Sequence, residues 1–281
     1  MYLQTDRVRI QHKKILFPVV KFTNNKKGPG LPRRMELSVI IPAYNEAERI
    51  GSTIKSIDSY LSKKNHKYEI IVIDDGSKDD TVEVAKTAGS DKVRVVSLGG
   101  NRGKGFAVWK GLTLARYGIA LFSDADMSTP IEDIEKLLPH IGSHDVVIGS
   151  RNLPDSNITK KQPWLRSRLG KTFPFLVRVM VLPGIKDTQC GFKLFTRKAI
   201  DAITPYQTIF DFGFDVEILF LTRKAGLNIK EVGVTWANAE GSKVHPIRDS
   251  RKMLIDLIKI RLNQINGKYT ALSQKNPSCT R

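Results

Sequence analysis

The sequence predicts an α/β protein with a mainly parallel mixed sheet flanked by helices. Short apolar runs, which are typical of buried strands, alternate along the chain with segments whose apolar residues recur at helical spacing. Strands that alternate with helices require crossover connections, and these place neighbouring strands parallel to one another. The 281 residues, 41% of them hydrophobic, provide for one large domain with a sizeable core.

The predicted elements follow one another from Met35 onward. The run "LSVII" predicts a buried strand, and the segment after it places four apolar side chains on one helical face: Ile50, Ile54, Ile57 and Leu61. Further strands are predicted at "EIIVI", "VRVVSL" and "IALFS", with helices between them at residues 80–88 and 104–117. A helix with Thr129 as its N-cap and the strand "DVVIG" come next.

The domain boundaries follow from composition. Residues 1–34 are predicted to be a basic, flexible extension, because "NNKKGPGLPRR" combines glycine, proline and charge. The folded domain is predicted to cover residues 35–263. Residues 264–281 are predicted to form a polar, disordered tail.

The formal net charge of +18 favours an anionic partner: nucleic acid, an acidic membrane surface or a phosphorylated substrate. A nucleic-acid-binding module is an alternative class, but no recognised motif accompanies the charge, so we predict no nucleic-acid partner. Cys190 and Cys279 have neither disulfide nor zinc spacing, which fits a reducing cytosol. No run approaches the roughly 20 apolar residues that span a bilayer, so we expect a soluble or peripheral protein.

The residues that follow the predicted strands are candidates for a ligand site, because open parallel sheets bind ligands beyond the carboxyl ends of their strands. These stretches are "PAYNE", "DDGS", "GGNRGKG" and "SDAD". Taken alone, "DDGS" is more typical of a turn, and "GGNRGKG" of a flexible loop. The latter is no P-loop, since Leu98 and Gly105 stand where that motif needs glycine and Ser or Thr. No GxGxxG turn follows the first strand either.

Two carboxylates, Asp124 and Asp126, follow the fourth apolar run. Acids at this place can interact with the dipole of the next helix, but both precede its predicted Thr129 cap. Neighbouring carboxylates at the end of a buried strand repel each other unless a cation lies between them. Mg²⁺ accepts carboxylate oxygens and completes its shell with phosphate oxygens and water. The pair therefore predicts a divalent metal bound against a substrate phosphate.

Four motifs in this order resemble the family 2 glycosyltransferases of the GT-A fold: "SVIIPAYNEAERI", "IIVIDDGSKDDT", "NRGKGFAVWKG" and "LFSDADMSTP". The resemblance covers residues 37–243. It implies a Mg²⁺ or Mn²⁺ cofactor held by Asp124 and Asp126, both of which would also be catalytic. It implies that the nucleotide sugar binds at eight residues: Pro42, Ala43, Tyr44, Glu46, Asp75, Lys104, Asp124 and Ala125.

Further stretches, "VIGSR" and "IKDTQCGFKLF", are similar to the branch of the family that makes polyprenyl-phosphate sugars. Within it, "DTQCGFK" and "EGSKV" are closer to the dolichyl-phosphate glucosyltransferases than to the mannosyl enzymes. The implied reaction moves glucose from UDP-glucose to a polyprenyl phosphate, with inversion to a β-linked product, at the cytosolic face of a membrane. The alternatives are another nucleotide sugar, GDP-mannose or UDP-GlcNAc, or a sugar-hydroxyl acceptor in glycan or polysaccharide assembly.

A phosphate acceptor is mostly a dianion at neutral pH and needs no general base, but it must approach the donor diphosphate against charge repulsion. Cationic side chains must therefore face it. We predict that Arg151, Arg168 and Lys243 bind the acceptor phosphate, and that Arg151 is catalytic. With a hydroxyl acceptor, Asp215 or Glu217 would serve as general base. With a phosphate acceptor, these acids would orient basic side chains or the donor sugar.

The apolar segment at residues 173–183 has two interpretations that the sequence does not separate. Its length and composition are those of a core helix, and it is too short to span a bilayer. Its place behind the basic loop also fits an interfacial segment that meets a polyprenyl chain at an anionic membrane surface.

Overall fold

The computed structural model describes residues 35–64, 66–160, 174, 176–238 and 246–274. The strands in these ranges are β1 (Glu36–Ala43), β2 (Lys67–Asp74), β3 (Val93–Ser97), β4 (Ile119–Ser123), β5 (Val146–Ser150), β6 (Asn157–Lys160), β7 (Phe192–Thr196), β8 (Ile229–Gly233) and β9 (Thr235–Ala237). Seven of these strands form one sheet in the order β3-β2-β1-β4-β7-β5-β8, and β6 pairs with β9 in a second, smaller sheet.

Strand β7 gives the sheet its mixed character. It runs antiparallel to both of its neighbours, β4 and β5, whereas the other pairs in the large sheet are parallel. The predicted mainly parallel mixed sheet is therefore confirmed.

The helices, again within the described ranges, are α1 (Ala47–Lys63), α2 (Thr81–Ala88), α3 (Lys104–Leu114), α4 (Ile134–Ile141), α5 (Arg197–Ile203), α6 (Phe214–Lys224), α7 (Pro246–Ile265) and α8 (Thr270–Gln274). Short 3-10 turns precede α4 at Ile131–Asp133 and follow α5 at Thr204–Tyr206, and residues 176–180 are also helical. Among the helices described, none is both long and apolar enough to cross a membrane.

Successive side chains of a strand point to opposite faces of the sheet. Both faces of this sheet therefore carry apolar side chains, and helices cover both. In β1, Val39 and Ile41 belong to one buried cluster, while Ile40 between them belongs to the other. The predicted apolar face of α1 is confirmed, since its four side chains are fully buried in the first of these clusters. Apolar burial on both faces stabilises a layered α/β domain.

Two predicted helix boundaries are wrong. Helix α3 ends at Leu114 rather than at residue 117. Thr129 does not cap the helix after β4, because the chain first forms the 3-10 turn and α4 begins only at Ile134. The Thr129 side chain is instead buried beside the thiol of Cys190, with Oγ1 and Sγ 4.0 Å apart.

The prediction of a disordered tail from residue 264 is wrong over residues 264–274. Helix α7 continues to Ile265, and the core includes Tyr269, in the turn before α8, and Leu272, within α8. Tyr269 is fully buried, and its hydroxyl donates to Glu217 Oε1 at 2.6 Å. The predicted N-terminal extension and residues 275–281 lie outside the described residues.

Candidate active site

The four motif loops meet at one edge of the sheet. Strands β3, β2, β1 and β4 are consecutive neighbours and run parallel, so their carboxyl ends lie side by side. This is the place at which an open α/β sheet binds its ligand. The sequence prediction that these loops form one site agrees with this arrangement.

The two acids of "DDGS" order the neighbouring loops. Asp75 is buried, and its carboxylate accepts the backbone N–H groups of Arg102 at 2.7 Å and Gly103 at 2.9 Å. Burial raises the pKa of Asp75, while these two hydrogen bonds oppose the shift. Asp74 accepts hydrogen bonds from Ser77 N and Ser97 Oγ at 3.0 and 2.8 Å. The stretch thus positions the glycine-rich loop, and nucleoside binding by Asp75 stays a prediction.

Lys104 and Asp124 form the central ion pair of the site. Lys104 Nζ, at the start of α3, lies 2.7 Å from Asp124 Oδ1, just after β4. Burial alone would lower the pKa of the Lys104 ammonium, but the charges of Asp124 and Asp215 outweigh it and raise that pKa. Two residues on, Asp126 Oδ1 accepts the Ser128 N–H at 2.9 Å, which orients this carboxylate within its turn.

Gly191 makes room for the Asp124 carboxylate. A Cβ atom at residue 191 would lie 1.9 Å from Asp124 Oδ2 and 2.2 Å from its Cγ, far inside van der Waals contact. The Asp124 N–H also donates to the Gly191 carbonyl at 3.1 Å. The position of Asp124 therefore depends on a glycine 67 residues away, directly before β7.

Arg151 is held by Asp187. Its Nε and Nη2 atoms donate to the two carboxylate oxygens at 2.7 and 2.8 Å, and its backbone N–H donates to Asp187 Oδ2 at 2.9 Å. Burial would lower the pKa of the Arg151 guanidinium, but the Asp187 charge outweighs burial and raises it. The guanidinium also lies 5.5 Å from the centre of the Trp236 ring. It is therefore oriented at the end of β5, where the sequence predicts a phosphate ligand.

Lys193 and Asp215 form a buried pair next to the first one. Lys193 Nζ lies 2.5 Å from Asp215 Oδ1 and donates to the Cys190 carbonyl at 2.5 Å. Burial raises the pKa of Asp215, although Lys193 and Lys104 both oppose that rise. Lys104 and Lys193 lie on the same aromatic ring, 5.6 and 5.4 Å from the centre of Phe122.

Glu217, the other acid considered as a general base, has a structural role. It is fully buried and accepts hydrogen bonds from four groups: Thr208 N, Thr208 Oγ1, Ile209 N and Tyr269 Oη. These contacts connect α6 to the segment before it and to Tyr269, which lies in the turn between α7 and α8. A carboxylate with these partners stabilises the fold, and the general-base role of Glu217 with a hydroxyl acceptor stays a prediction.

Residues 38–204 match Glycosyl transferase family 2. The chain belongs to glycosyltransferase family 2. Dolichyl-phosphate beta-glucosyltransferase from Dictyostelium discoideum is 41% identical over 246 residues, which are 82% of this chain and 75% of that protein. The human protein of the same name is 35% identical over 295 residues, which are 91% of both chains. The Saccharomyces cerevisiae protein of that name is 37% identical, over 83% of this chain and 76% of its own.

Solved structures share the fold of this family 2 glycosyltransferase. Glucosyl-3-phosphoglycerate synthase from Mycobacterium tuberculosis, in complex with Mn²⁺, UDP-glucose and phosphoglyceric acid, has a TM-score of 0.64 at 22% identity, covering 80% of this chain and 79% of its own. Mannosyl-3-phosphoglycerate synthase from Rubrobacter xylanophilus has a TM-score of 0.60 at 20% identity, covering 83% and 75%. The predicted GT-A fold is confirmed.

The remaining predicted site residues of this glycosyltransferase fall into two groups. Around the donor edge lie Pro42 and Ala43 in β1, Tyr44 after it, Glu46 at the start of α1, and Ala125 between the two acids. Arg168 and Lys243 lie outside the described residues, so their role in binding the acceptor stays a prediction. The described part of the apolar segment at 173–183 packs in the core through Val177, Val181 and Leu182, whereas Val179 is exposed.

Four residues that build this site were not predicted from the sequence: Asp187, Gly191, Lys193 and Trp236. Three of them belong to "DTQCGFK", which was used for family resemblance without a role for each side chain. A chemical signal was present, because Lys193 stands inside an apolar strand, where an ammonium needs a buried partner. Trp236 carries no comparable signal, since an aromatic residue in a short strand is ordinarily a packing residue.

Proposed function

We propose that this glycosyltransferase moves glucose from UDP-glucose to a polyprenyl phosphate of the dolichyl type and inverts the anomeric centre. The observation that carries the proposal is the identity of its relatives. Proteins 35–41% identical over most of the chain, from three distant eukaryotes, are all named dolichyl-phosphate beta-glucosyltransferases. The charges of the site support the same conclusion from chemistry.

On the donor side, the chain supplies Asp124, Asp126 and Lys104. Two carboxylates on one turn, with no Cβ opposite Asp124 at Gly191, are suitable oxygen ligands for Mg²⁺ or Mn²⁺. A bound divalent ion would neutralise charge on the leaving diphosphate. Lys104, ion-paired to Asp124, adds a fixed cation at the same place. The M. tuberculosis synthase that shares the fold was solved with Mn²⁺ and UDP-glucose.

On the described part of the acceptor side, the acids are paired with cations. Asp187 is paired with Arg151, and Asp215 with Lys193, so either acid would have to give up a cation to deprotonate a hydroxyl. A phosphate monoester arrives as its own nucleophile, because its second pKa is about 6. It requires cations that offset repulsion from the donor diphosphate, and Arg151 is a cation that Asp187 orients at the end of β5. We therefore assign phosphate binding to Arg151, and to Asp215 the orientation of Lys193 and Lys104.

The reaction would take place at the cytosolic face of a membrane, with the protein bound peripherally. A polyprenyl chain remains in the bilayer while its phosphate reaches the water interface. The excess of 46 basic over 28 acidic residues favours attraction to an anionic leaflet.

The test uses purified protein, Mg²⁺ and radiolabelled UDP-glucose with either polyprenyl phosphate or the corresponding alcohol. We expect labelled lipid from the phosphate alone. Asp126→Asn should lower the rate at least about 100-fold, because it removes a charged ligand of the metal ion that would neutralise the diphosphate. Asp91→Asn is the matched control, since Asp91 is an exposed acid in the turn before β3.

Three results would contradict the proposal. Equal labelling of the alcohol would show that the acceptor is a hydroxyl. Labelling of the lipid phosphate from GDP-mannose, with UDP-glucose inert, would show that GDP-mannose is the donor and that the acceptor is still a lipid phosphate. An unchanged rate in Asp126→Asn would remove the metal and diphosphate role of that residue.

A further inference from the structure

Helix α7 presents a second apolar face to solvent. Five large apolar side chains on it are 39–78% exposed, and we call them the outer stripe: Leu254, Ile255, Ile258, Leu262 and Ile265. Only one other large apolar side chain, Val179, is comparably exposed among the residues that the structure describes. An exposed apolar surface concentrated on one helix is a feature of interaction sites.

The outer stripe is separate from the face that packs in the core. At about 100° per residue, its members fall within a sector roughly 100° wide. Met253, Leu257 and Ile260 are buried and lie on the opposite side of the helix, centred roughly 140° away. The inner face packs in the core, whereas the outer stripe takes no part in that packing.

Basic side chains border the outer stripe. Lys252 and Lys259 lie along one edge and Arg261 along the other, while Arg251 is exposed at its start. Among the described side chains, the acids next to these cations belong to the domain side: Asp256 is buried and pairs with Lys259 at 3.1 Å, and Asp211 lies 3.9 Å from Lys252. An apolar stripe with lysine and arginine at its edges is the pattern of a helix that lies in a membrane interface.

The inner face of α7 touches the elements that form the active site. Gln189 Nε2, two residues before Gly191, donates to Met253 Sδ at 3.8 Å. Asn263 Nδ2 donates to Thr208 Oγ1 at 3.0 Å. The helix and the donor loop also share a cavity of about 400 Å³, whose lining includes Arg102, Phe210, Asp211, Lys259 and Lys268. The helix that carries the outer stripe therefore packs, through its other face, against segments of both the acceptor and the donor side of the site.

We propose that the outer stripe of α7 docks on an anionic phospholipid bilayer, with its apolar side chains at the boundary of headgroups and acyl chains. Charge complementarity selects this occupant, because anionic headgroups pair with the bordering lysines and arginines. A second copy of the chain would bring the same cations against them, at a net charge of +18 per chain. Docking on the bilayer would bring the site close to a lipid phosphate, and this role of the outer stripe rests on the proposed function.

The test measures co-flotation of the full chain with phosphatidylcholine vesicles that contain or lack phosphatidylserine. We expect binding to the anionic vesicles that weakens with salt. The triple variant Ile255→Gln, Ile258→Gln and Leu262→Gln should bind about tenfold or more weakly. It removes apolar area that the bilayer would bury, but it keeps every charge. The variant Lys252→Gln with Arg261→Gln should lose the preference for phosphatidylserine and keep the apolar contribution.

Activity on two acceptors separates docking from catalysis. The apolar variant should transfer glucose to a short, water-soluble prenyl phosphate at the wild-type rate, and more slowly to a long polyprenyl phosphate in vesicles. Wild-type flotation by the apolar variant would overturn the inference. So would a wild-type dimer that the apolar variant converts to monomer, because the stripe would then be an interface between copies. Vesicle binding without transfer to either acceptor would refute the proposed function and leave the docking surface standing.

Discussion

Gly191→Ala is the substitution that most directly tests how the site is built. The new Cβ would lie 1.9 Å from Asp124 Oδ2 and 2.5 Å from Asp124 Oδ1, whereas ordinary contact begins at 3.4 Å. Either the carboxylate or the segment before β7 must therefore move by about 1.5 Å. Movement of the carboxylate breaks its 2.7 Å contact with Lys104 and displaces the proposed metal ligand.

The expected loss of activity follows from that displacement. A misplacement of about 1 Å at a catalytic group costs on the order of 100-fold in rate. We expect kcat/KM for glucose transfer to fall by about that factor, which corresponds to about 2.7 kcal/mol in transition-state free energy. The loss of folding stability should be smaller, about 1–2 kcal/mol, because one methyl group is added at the edge of a core.

The assay is labelled transfer from UDP-glucose over a range of Mn²⁺ concentrations, with thermal unfolding measured in parallel. Gly142→Ala is the matched control, since a Cβ at that glycine meets nothing within 4 Å. We expect Gly191→Ala to require more Mn²⁺ for half-maximal rate, with Gly142→Ala unchanged. Wild-type kcat/KM and metal dependence in Gly191→Ala would refute the proposed dependence of Asp124 on this glycine.

Three further substitutions test the buried charges. Asp187→Asn leaves the Arg151 guanidinium without its anion, so urea titration should show a loss of about 3 kcal/mol in unfolding free energy. Lys193→Met removes the cation in contact with the Asp215 carboxylate and leaves the charge of Lys104 nearby, which favours the neutral form of Asp215. Denaturation at several pH values should therefore show a deficit in unfolding free energy, relative to wild type, that grows as pH rises above 3.8. Tyr269→Phe removes a phenol whose pKa is raised to about 12 by burial and by its hydrogen bond to a carboxylate. The neutral phenol stabilises the fold below pH 10 and ceases to do so as pH rises through 12, so thermal unfolding should show a loss of about 1 kcal/mol below pH 10 that shrinks above it.

The sheet and the donor half of the site were predictable because short stretches of sequence are enough to identify each strand and the loop that follows it. An apolar run such as residues 119–123 identifies β4 without knowledge of its neighbours. Parallel connections then require that the residues after each strand meet at one edge, which brings together the loop with Lys104 and the turn with Asp124. No contact had to be known in advance for either inference.

Residues 264–274 were predicted to belong to a disordered tail because their apolar residues are few and scattered. Helix α7 lies within the predicted domain up to residue 263, and only its last two residues fall in that tail. Tyr269 stands among polar neighbours, and its burial depends on Glu217, which lies 52 residues earlier. A hydrogen bond across that separation leaves no local pattern in the sequence.

Arg151 and Asp215 were predicted, but the residues before β7 and at its start were missed because a rule derived from parallel strands was applied to a sheet with one antiparallel member. In β4 and β5 the site lies after the strand, where Asp124 and Arg151 stand. Strand β7 runs the other way between them, with Phe192 paired to Ser123 and Thr196 to Ile119, so its beginning lies at the same edge. The residues before β7 and its first positions therefore enter the site, which explains why "DTQCG" and Lys193 contact Asp124, Arg151 and Asp215. Once the direction of β7 is known, the same edge rule predicts both halves of the site.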